Sequence, residues 1–285
     1  MEVQKGAEAP SRSVLRYFGG KWALAPWVIQ HLPQDHRIYV EPFGGAASIL
    51  MRKPRSKIEV YNDLDDEIVG LFRVLQDKTQ CQELVRRLKR TPYSRSEFEL
   101  SFVRTDDPVI RSQRAIVRAY QAMHHTALFN PRKTTFADAR HRTGSAKSHE
   151  WVNYPRSLAA VHRRLQGVVI EKRNALDVIR VQDTPETLFY VDPPYVPASR
   201  SSGGYRHELS VQQHVELLEV LKGVRGMVVL SGYPSALYDE ALKGWFRVER
   251  QHTAMALKAH SRTEVLWISP SAADRLVIER CASAV

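Results

Sequence analysis

Hydrophobic positions along this chain fall into short runs separated by amphipathic stretches, the pattern of alternating strands and helices. The runs "RIYVE" (37–41) and "KIEVYN" (57–62) predict strands, each followed by a segment of helical character. In "DEIVGLFRVLQD", Ile68, Leu71, Phe72 and Leu75 recur at helical spacing and predict one apolar face. Five further runs predict strands: "GVVIE" (167–171), "TLFYVD" (187–192), "GMVVLS" (226–231), "FRVERQ" (246–251) and "TEVLWIS" (263–269). Between them, "SVQQHVELLEVLK" predicts a helix opened by a capping box of Ser210 and Gln213, with Val215, Leu218 and Leu221 on a shared face. Alternation of this kind predicts an α/β fold with an open, mostly parallel sheet.

The pattern changes between residues 79 and 166. "CQELVRRLKR", "SRSEFELSFVR" and "SQRAIVRAYQAM" predict short basic helices. The polar stretch "NPRKTTFADARHRTGSAKSHE" that follows predicts an irregular surface segment or one ordered by a partner. The chain therefore divides into an arm at 1–14, an α/β domain made of 15–78 and 167–285, and an inserted basic domain at 79–166. No internal repeat is visible.

Charge sharpens this division. The 285 residues carry a formal net charge of +11, and the stretch from Arg104 to Arg173 holds 14 Lys or Arg against 5 Asp or Glu. Tyr120, His124, His125, Phe129 and Trp151 are interleaved with those cations, which favours a polyanionic partner over a merely solvated basic face. No apolar stretch approaches the roughly 20 residues of a membrane span. The start "MEVQKGAEAPSRS" lacks a secretory apolar segment, and the two cysteines, Cys81 and Cys281, are far apart, so a reducing cytoplasm is the expected compartment. Adjacent His124 and His125 would point apart on a helix, with no cluster to complete a metal site, and no metal is expected.

Four short segments carry candidate chemistry. "YVEPFGGAAS" (39–48) runs from a strand through a small-residue turn into a helix start, which lets backbone approach a ligand closely. It is not G-x-G-x-x-G, and no phosphate-binding Lys-Ser follows, so a dinucleotide or triphosphate is poorly supported. Asp63, in "VYNDLD", ends the second strand where an acid can bond both hydroxyls of a ribose, or can cap the next helix. "RYFGGKWAL" (16–24) places aromatics, two glycines and Lys21 ahead of the first strand. In "FYVDPPYVP" (189–197), Asp192 ends a buried strand, and Pro193 and Pro194 forbid its continuation.

Together, the "GGK" segment, the "EPF-x-G" turn and the "DPPY" tetrad resemble the signatures of the Dam-type, D12-class DNA adenine N6-methyltransferases. The resemblance covers roughly residues 15–77 and 167–269 and is thin over the basic insertion, where that family keeps its DNA-recognition domain. It implies a Rossmann-like, S-adenosylmethionine-dependent methyltransferase sheet with an inserted, mainly helical DNA-recognition domain. By position, Tyr17 and Lys21 would enclose S-adenosylmethionine, Phe43 and Gly45 would line its methionine side, and Asp63 would take the ribose. Two residues depart from the family pattern: Ala47 stands where a glycine is usual, and Asn174 where an aspartate near the adenine is usual.

The resemblance gives "DPPY" a chemical reading. Adenine's exocyclic amine is a poor nucleophile because its lone pair is delocalised into the ring. The Asp192 carboxylate and the Pro193 carbonyl can accept its two N–H bonds, Pro194 stiffens the turn, and Tyr195 offers a face to a base flipped from duplex DNA. Double-stranded DNA is the expected partner, with a monomer favoured though the sequence leaves the oligomeric state open, and Arg132, Lys133, Arg140 and Arg142 of the polar stretch are expected to hold phosphates. The same tetrad chemistry serves cytosine N4 in a related class, and a catalytically silent DNA-binding relative is the non-enzymatic alternative.

Overall fold

Each predicted strand forms, and all seven lie in one sheet: β1 (Ile38–Glu41), β2 (Ile58–Asn62), β3 (Val168–Glu171), β4 (Thr187–Val191), β5 (Met227–Gly232), β6 (Phe246–Thr253) and β7 (Ser261–Ile268). The computed structural model describes residues 9–17, 19–123, 128, 134–138, 144–196, 206–253 and 261–283. The strand order is β3-β2-β1-β4-β5-β7-β6. The first five strands are parallel, and β7 enters antiparallel between β5 and β6. This is the expected Rossmann-like, mostly parallel sheet. From β1 the chain passes outward to β2 and β3, then returns to place β4 on the other side. Ligands in such sheets bind outside the carboxyl ends of the strands at this switch point.

Helices cover both faces, which is why β4 and β5 are buried along their whole length and read as unbroken apolar runs. On one face, Tyr61, Leu188, Leu266 and Ile268 pack with Ile68, Phe72 and Leu75 of α3 (Asp66–Gln76). On the other, Val40, Val60, Phe189 and Trp267 pack with Leu217, Leu218 and Leu221 of α9 (Val211–Gly223). The predicted capping box opens α9, with Ser210 and Gln213 each bonding the other's backbone N–H.

The insertion occupies the crossover from β2 to β3. Its helices are α4 (Lys78–Arg90), α5 (Arg95–Leu100), α6 (Pro108–Gln121) and α7 (Gly144–Leu165). Leu84, Leu88, Ile116, Tyr154 and Leu158 belong to the same buried cluster as Phe72 and Leu75, so the packing runs unbroken from α3 into the insertion. One expectation is corrected here. The polar stretch is not irregular to its end, because α7 begins within it at Gly144. Trp151, Tyr154, Leu158, Val161 and Leu165 bury one face of α7, and the Trp151 indole donates to the Thr91 carbonyl at 2.7 Å. Tertiary burial extends that helix back over residues whose own pattern is polar.

Part of the basic excess is spent on the scaffold. Arg118 of α6 is buried against Glu67 and the Ser101 carbonyl. Arg164 makes a two-pronged pair with buried Glu59 at 2.6 and 2.8 Å, and Lys172 pairs with Asp66 at 2.6 Å. No helix among the described residues is long and apolar enough to cross a membrane.

Candidate active site

The carboxyl ends of β1, β2 and β4 open into a cavity of about 370 Å³. Asn62, the last residue of β2, ties the surrounding loops together. Its amide donates to the Pro42 and Arg173 carbonyls, its side-chain oxygen accepts from Arg173 N–H, and its own carbonyl accepts from Gly44 N–H at 2.7 Å. The turn after β1 must be narrow, since a Cβ at Gly44 would sit 2.1 Å from the Tyr61 ring. That ring cannot yield easily: its hydroxyl donates to the Gly45 carbonyl at 2.7 Å, and it packs on Phe72 with centroids 4.6 Å apart. Gly44→Ala is therefore expected to lower stability by about 1–3 kcal/mol, the usual scale of overpacking, read as a drop in thermal midpoint.

The backbone at Ala47 accounts for the glycine that the resemblance led us to expect there, and nothing in the structure explains the alanine. Ala47 lies at φ 52° and ψ 38°, the left-handed region that favours glycine, immediately before α2 (Ser48–Arg52). A residue with a Cβ carries strain of order 1 kcal/mol there.

Acidic groups line the cavity beneath this turn. Asp63 accepts from Gly45 N–H and from Asp65 N–H, each at 2.8 Å. Burial raises its carboxyl above the ordinary range, partly offset by those two bonds. The two expectations for Asp63 separate here, because Asp65 is the cap of α3, accepting from Glu67 and Ile68 N–H. Glu41 at the end of β1 accepts from the Tyr39 hydroxyl and from Leu50 N–H, each at 2.7 Å, and burial raises its carboxyl to about 7. The buried Ser48 hydroxyl, also on the cavity wall, has no hydrogen-bond partner among the described residues.

The opposite wall holds Asp192 at the end of β4. Lys21 Nζ lies 3.1 Å from its carboxylate, and 3.5 Å from Glu264 of β7, which is 1% exposed. Tyr195 donates its hydroxyl to Glu264 at 2.5 Å, as does Ser231 at 2.6 Å. Burial raises the Asp192 carboxyl to about 6. Lys21 opposes that rise and Glu264 adds to it.

Of the residues expected at the site, the cavity brings together Tyr17, Lys21, Phe43, Gly45, Asp63, Asp192 and Pro194. Three others stand elsewhere. Pro193 is buried beside the wall. The Tyr195 ring is 6% exposed, with Lys21 Nζ 4.6 Å from its centroid and Tyr233 edge-on, so it presents no open stacking face in this structure. Asn174 caps α8 (Ala175–Gln182) by accepting from Leu176 N–H at 2.8 Å, and its neighbour Ala175 is the one that lines the cavity. Arg132, Lys133, Arg140 and Arg142 lie outside the described residues.

Glu41, Ser48, His207 and Glu264 were not singled out from the sequence. Glu41 and Glu264 did leave a signal, each being an acid set inside an apolar strand. Arg206 reaches from the segment after the tetrad to Asp65 at 2.8 Å, Glu67 at 3.3 Å and the Leu128 carbonyl at 2.9 Å. Among the described residues, no group of three or more His, Cys, Asp or Glu is arranged to hold a metal ion.

The sequence model of the D12 class N6 adenine-specific DNA methyltransferases matches residues 17–256. The type II methyltransferase M1.LlaDCHI of Lactococcus lactis subsp. cremoris is 26% identical over 279 residues, covering 90% of this chain and 94% of that protein. The DNA adenine methylase of Escherichia coli (strain K12) is 20% identical over 273 residues, covering 88% and 90%. Among solved structures, a SAM-dependent methyltransferase from Agrobacterium tumefaciens aligns with a TM-score of 0.37 at 10% identity, covering 87% of this chain and 61% of that one.

Proposed function

The chain belongs to the D12 class of N6 adenine-specific DNA methyltransferases, and from that premise we propose that its cavity holds S-adenosylmethionine beside a target adenine presented to Asp192. One observation carries this reading. A single cavity joins the Asp63 side, built for a polar ligand, to the Asp192 wall, built to accept hydrogen bonds. The residues fit the cofactor. Asp63 has lone pairs left for the ribose hydroxyls, Tyr17, Phe43 and Ile49 offer apolar surface, and the orphaned Ser48 hydroxyl and Glu41 carboxylate offer polar partners near the turn. A volume of about 370 Å³ lies in the range of small-molecule sites. When bound, S-adenosylmethionine supplies an electrophilic methyl group on a sulfonium.

The chain's own part is positioning and charge. The Asp192 carboxylate accepts an N–H of the adenine amine and returns electron density to its nitrogen. With its carboxyl raised to about 6, Asp192 is also a better acceptor than an ordinary aspartate for the proton the methylated amine must shed. Lys21 fixes the carboxylate at 3.1 Å and keeps it ionised. The base must leave the duplex to reach this wall. Product nucleoside analysis of exposed DNA tests the assignment, with N6-methyladenine as the expected product.

The basic insertion is the DNA grip in this reading. Each phosphate contact on duplex DNA contributes about 0.9 to the slope of log affinity against log salt. Neutralising Arg132 and Lys133 together should reduce that slope by about 2 while leaving S-adenosylmethionine binding unchanged. A slope that stays at the wild-type value would mean these two cations face only solvent.

A further inference from the structure

A carboxylate that is 1% exposed in an apolar strand calls for an explanation, and Glu264 is followed directly by buried Val265, Leu266, Trp267 and Ile268. Burying such a charge is unfavourable unless donors surround it, and a well-packed apolar side chain often serves the scaffold as well. Its donors come from three separate parts of the chain. They are the Tyr195 hydroxyl at 2.5 Å, the Ser231 hydroxyl of β5 at 2.6 Å, and the Lys21 ammonium of the N-terminal segment at 3.5 Å. One of these three also addresses Asp192: Lys21 pairs with it at 3.1 Å. Glu264 stands behind the tetrad and is absent from the cavity wall.

We propose that Glu264 is a positioning residue for methyl transfer, anchoring the Tyr195 ring behind the wall and holding Lys21 so that its ammonium keeps the Asp192 carboxylate in its accepting orientation. The proposal rests on the reading of Asp192 as the group that receives the target amine. Antiparallel insertion of β7 beside β5 is what makes the anchor possible, because it pairs Ser231 with Leu266 and Gly232 with Val265 and so brings Glu264 up to the end of β4. Glu264 also acts on Asp192 through space, its negative charge disfavouring a second ionised carboxylate close by. The titratable groups facing Asp192 are Lys21 from the N-terminal segment, Tyr195 from the tetrad, Glu264 from β7, Glu41 from β1, Tyr190 from β4 and Tyr238 from α10 (Ala236–Ala241). Of the carboxylates among them, Glu264 is the one that shares Lys21 with Asp192.

The test is Glu264→Gln in the full-length enzyme, assayed with tritiated S-adenosylmethionine and unmethylated duplex DNA. An amide keeps one acceptor oxygen but sets N–H donors against Lys21 and Tyr195. Turnover should fall about tenfold, the scale of coupling within one hydrogen-bond network, with S-adenosylmethionine affinity by calorimetry unchanged within a factor of about two. The acidic limb of the kcat–pH profile should move to lower pH, because the charge that opposes ionisation of Asp192 is gone, whereas Glu264→Asp keeps that charge and should leave the limb in place. A purely structural carboxylate would lower thermal stability without moving the limb. If Glu264→Gln does not fold, Glu264→Asp and Tyr195→Phe carry the test, and the loss in turnover from Glu264→Asp should shrink in the Tyr195→Phe background. Wild-type turnover and an unmoved limb in Glu264→Gln, or full additivity in the double variant, overturns the proposal. Either result leaves the Asp192 reading standing as long as Asp192→Ala is inactive.

Discussion

Asp192→Ala is expected to lower methyl transfer by about two to four orders of magnitude, the combined scale of a lost acceptor and lost electrostatic stabilisation. The fold should survive, because Asp192 lies at the end of β4 on a cavity wall and contributes nothing to either buried cluster. Lys21 is not stranded by the change, since Glu264 remains 3.5 Å from its ammonium. DNA affinity should hold as well if, as proposed, phosphate contacts of the basic insertion supply most of it. The wild-type enzyme offers a parallel test in pH. Burial raises the Asp192 carboxyl to about 6, and only the ionised form is free to take the proton the amine sheds, so turnover should be full above that value and fall as pH drops through it. Single-turnover assays across pH 5 to 8, with melting curves on each sample, measure both. Near-normal turnover in Asp192→Ala would remove the tetrad from the chemistry.

The central strands were legible because they are apolar runs closed by polar or turn-forming residues, both faces of the central sheet being covered. The edge strand β6, by contrast, is mostly polar and showed only through the alternation of Phe246 and Val248 with charged residues. The tetrad and the turn after β1 were legible for a related reason. Their chemistry is local, set by consecutive residues at a strand end, so sequence order is nearly spatial order. What escaped the sequence is what depends on strand neighbours. Glu264 reaches Lys21 and Tyr195 only because β7 lies beside β5, and nothing in "TEVLWIS" states which strand it pairs with. The acids of "NDLDD" likewise differ in role by position alone: Asp63 bonds the β1 turn, Asp65 caps α3, and Asp66 pairs with Lys172. Charge counting overstated the surface available to a polyanion, since Arg118 and Arg164 are buried in pairs with Glu67 and Glu59. Helix α7 ran further back than its polar start implied, because Trp151 and Tyr154 anchor it by burial.

Asp63→Ala is expected to weaken S-adenosylmethionine binding by about 1.5–3 kcal/mol, the scale of hydrogen bonds to a charged group. Two effects contribute in the same direction. The carboxylate that would bond the ribose is removed, and two backbone donors, Gly45 N–H and Asp65 N–H, lose the acceptor that holds each at 2.8 Å. The second effect loosens the turn that forms the cavity floor, so hydrogen exchange at those two amides should quicken in the free protein. Asp63→Asn separates the two contributions. Its oxygen can still accept from one of the amides, while its NH2 faces the other donor, so the turn is partly kept and the charge is lost. If charge-assisted bonding to the ribose dominates, Asp63→Asn should bind nearly as weakly as Asp63→Ala. If floor geometry dominates, it should recover much of the difference. Global stability should change little, because burial already raises the Asp63 carboxyl, and removing it relieves a desolvated charge as well as two bonds. DNA affinity should not move if the insertion supplies the grip, as proposed. Calorimetry showing wild-type affinity in both variants would remove the cofactor from this end of the cavity.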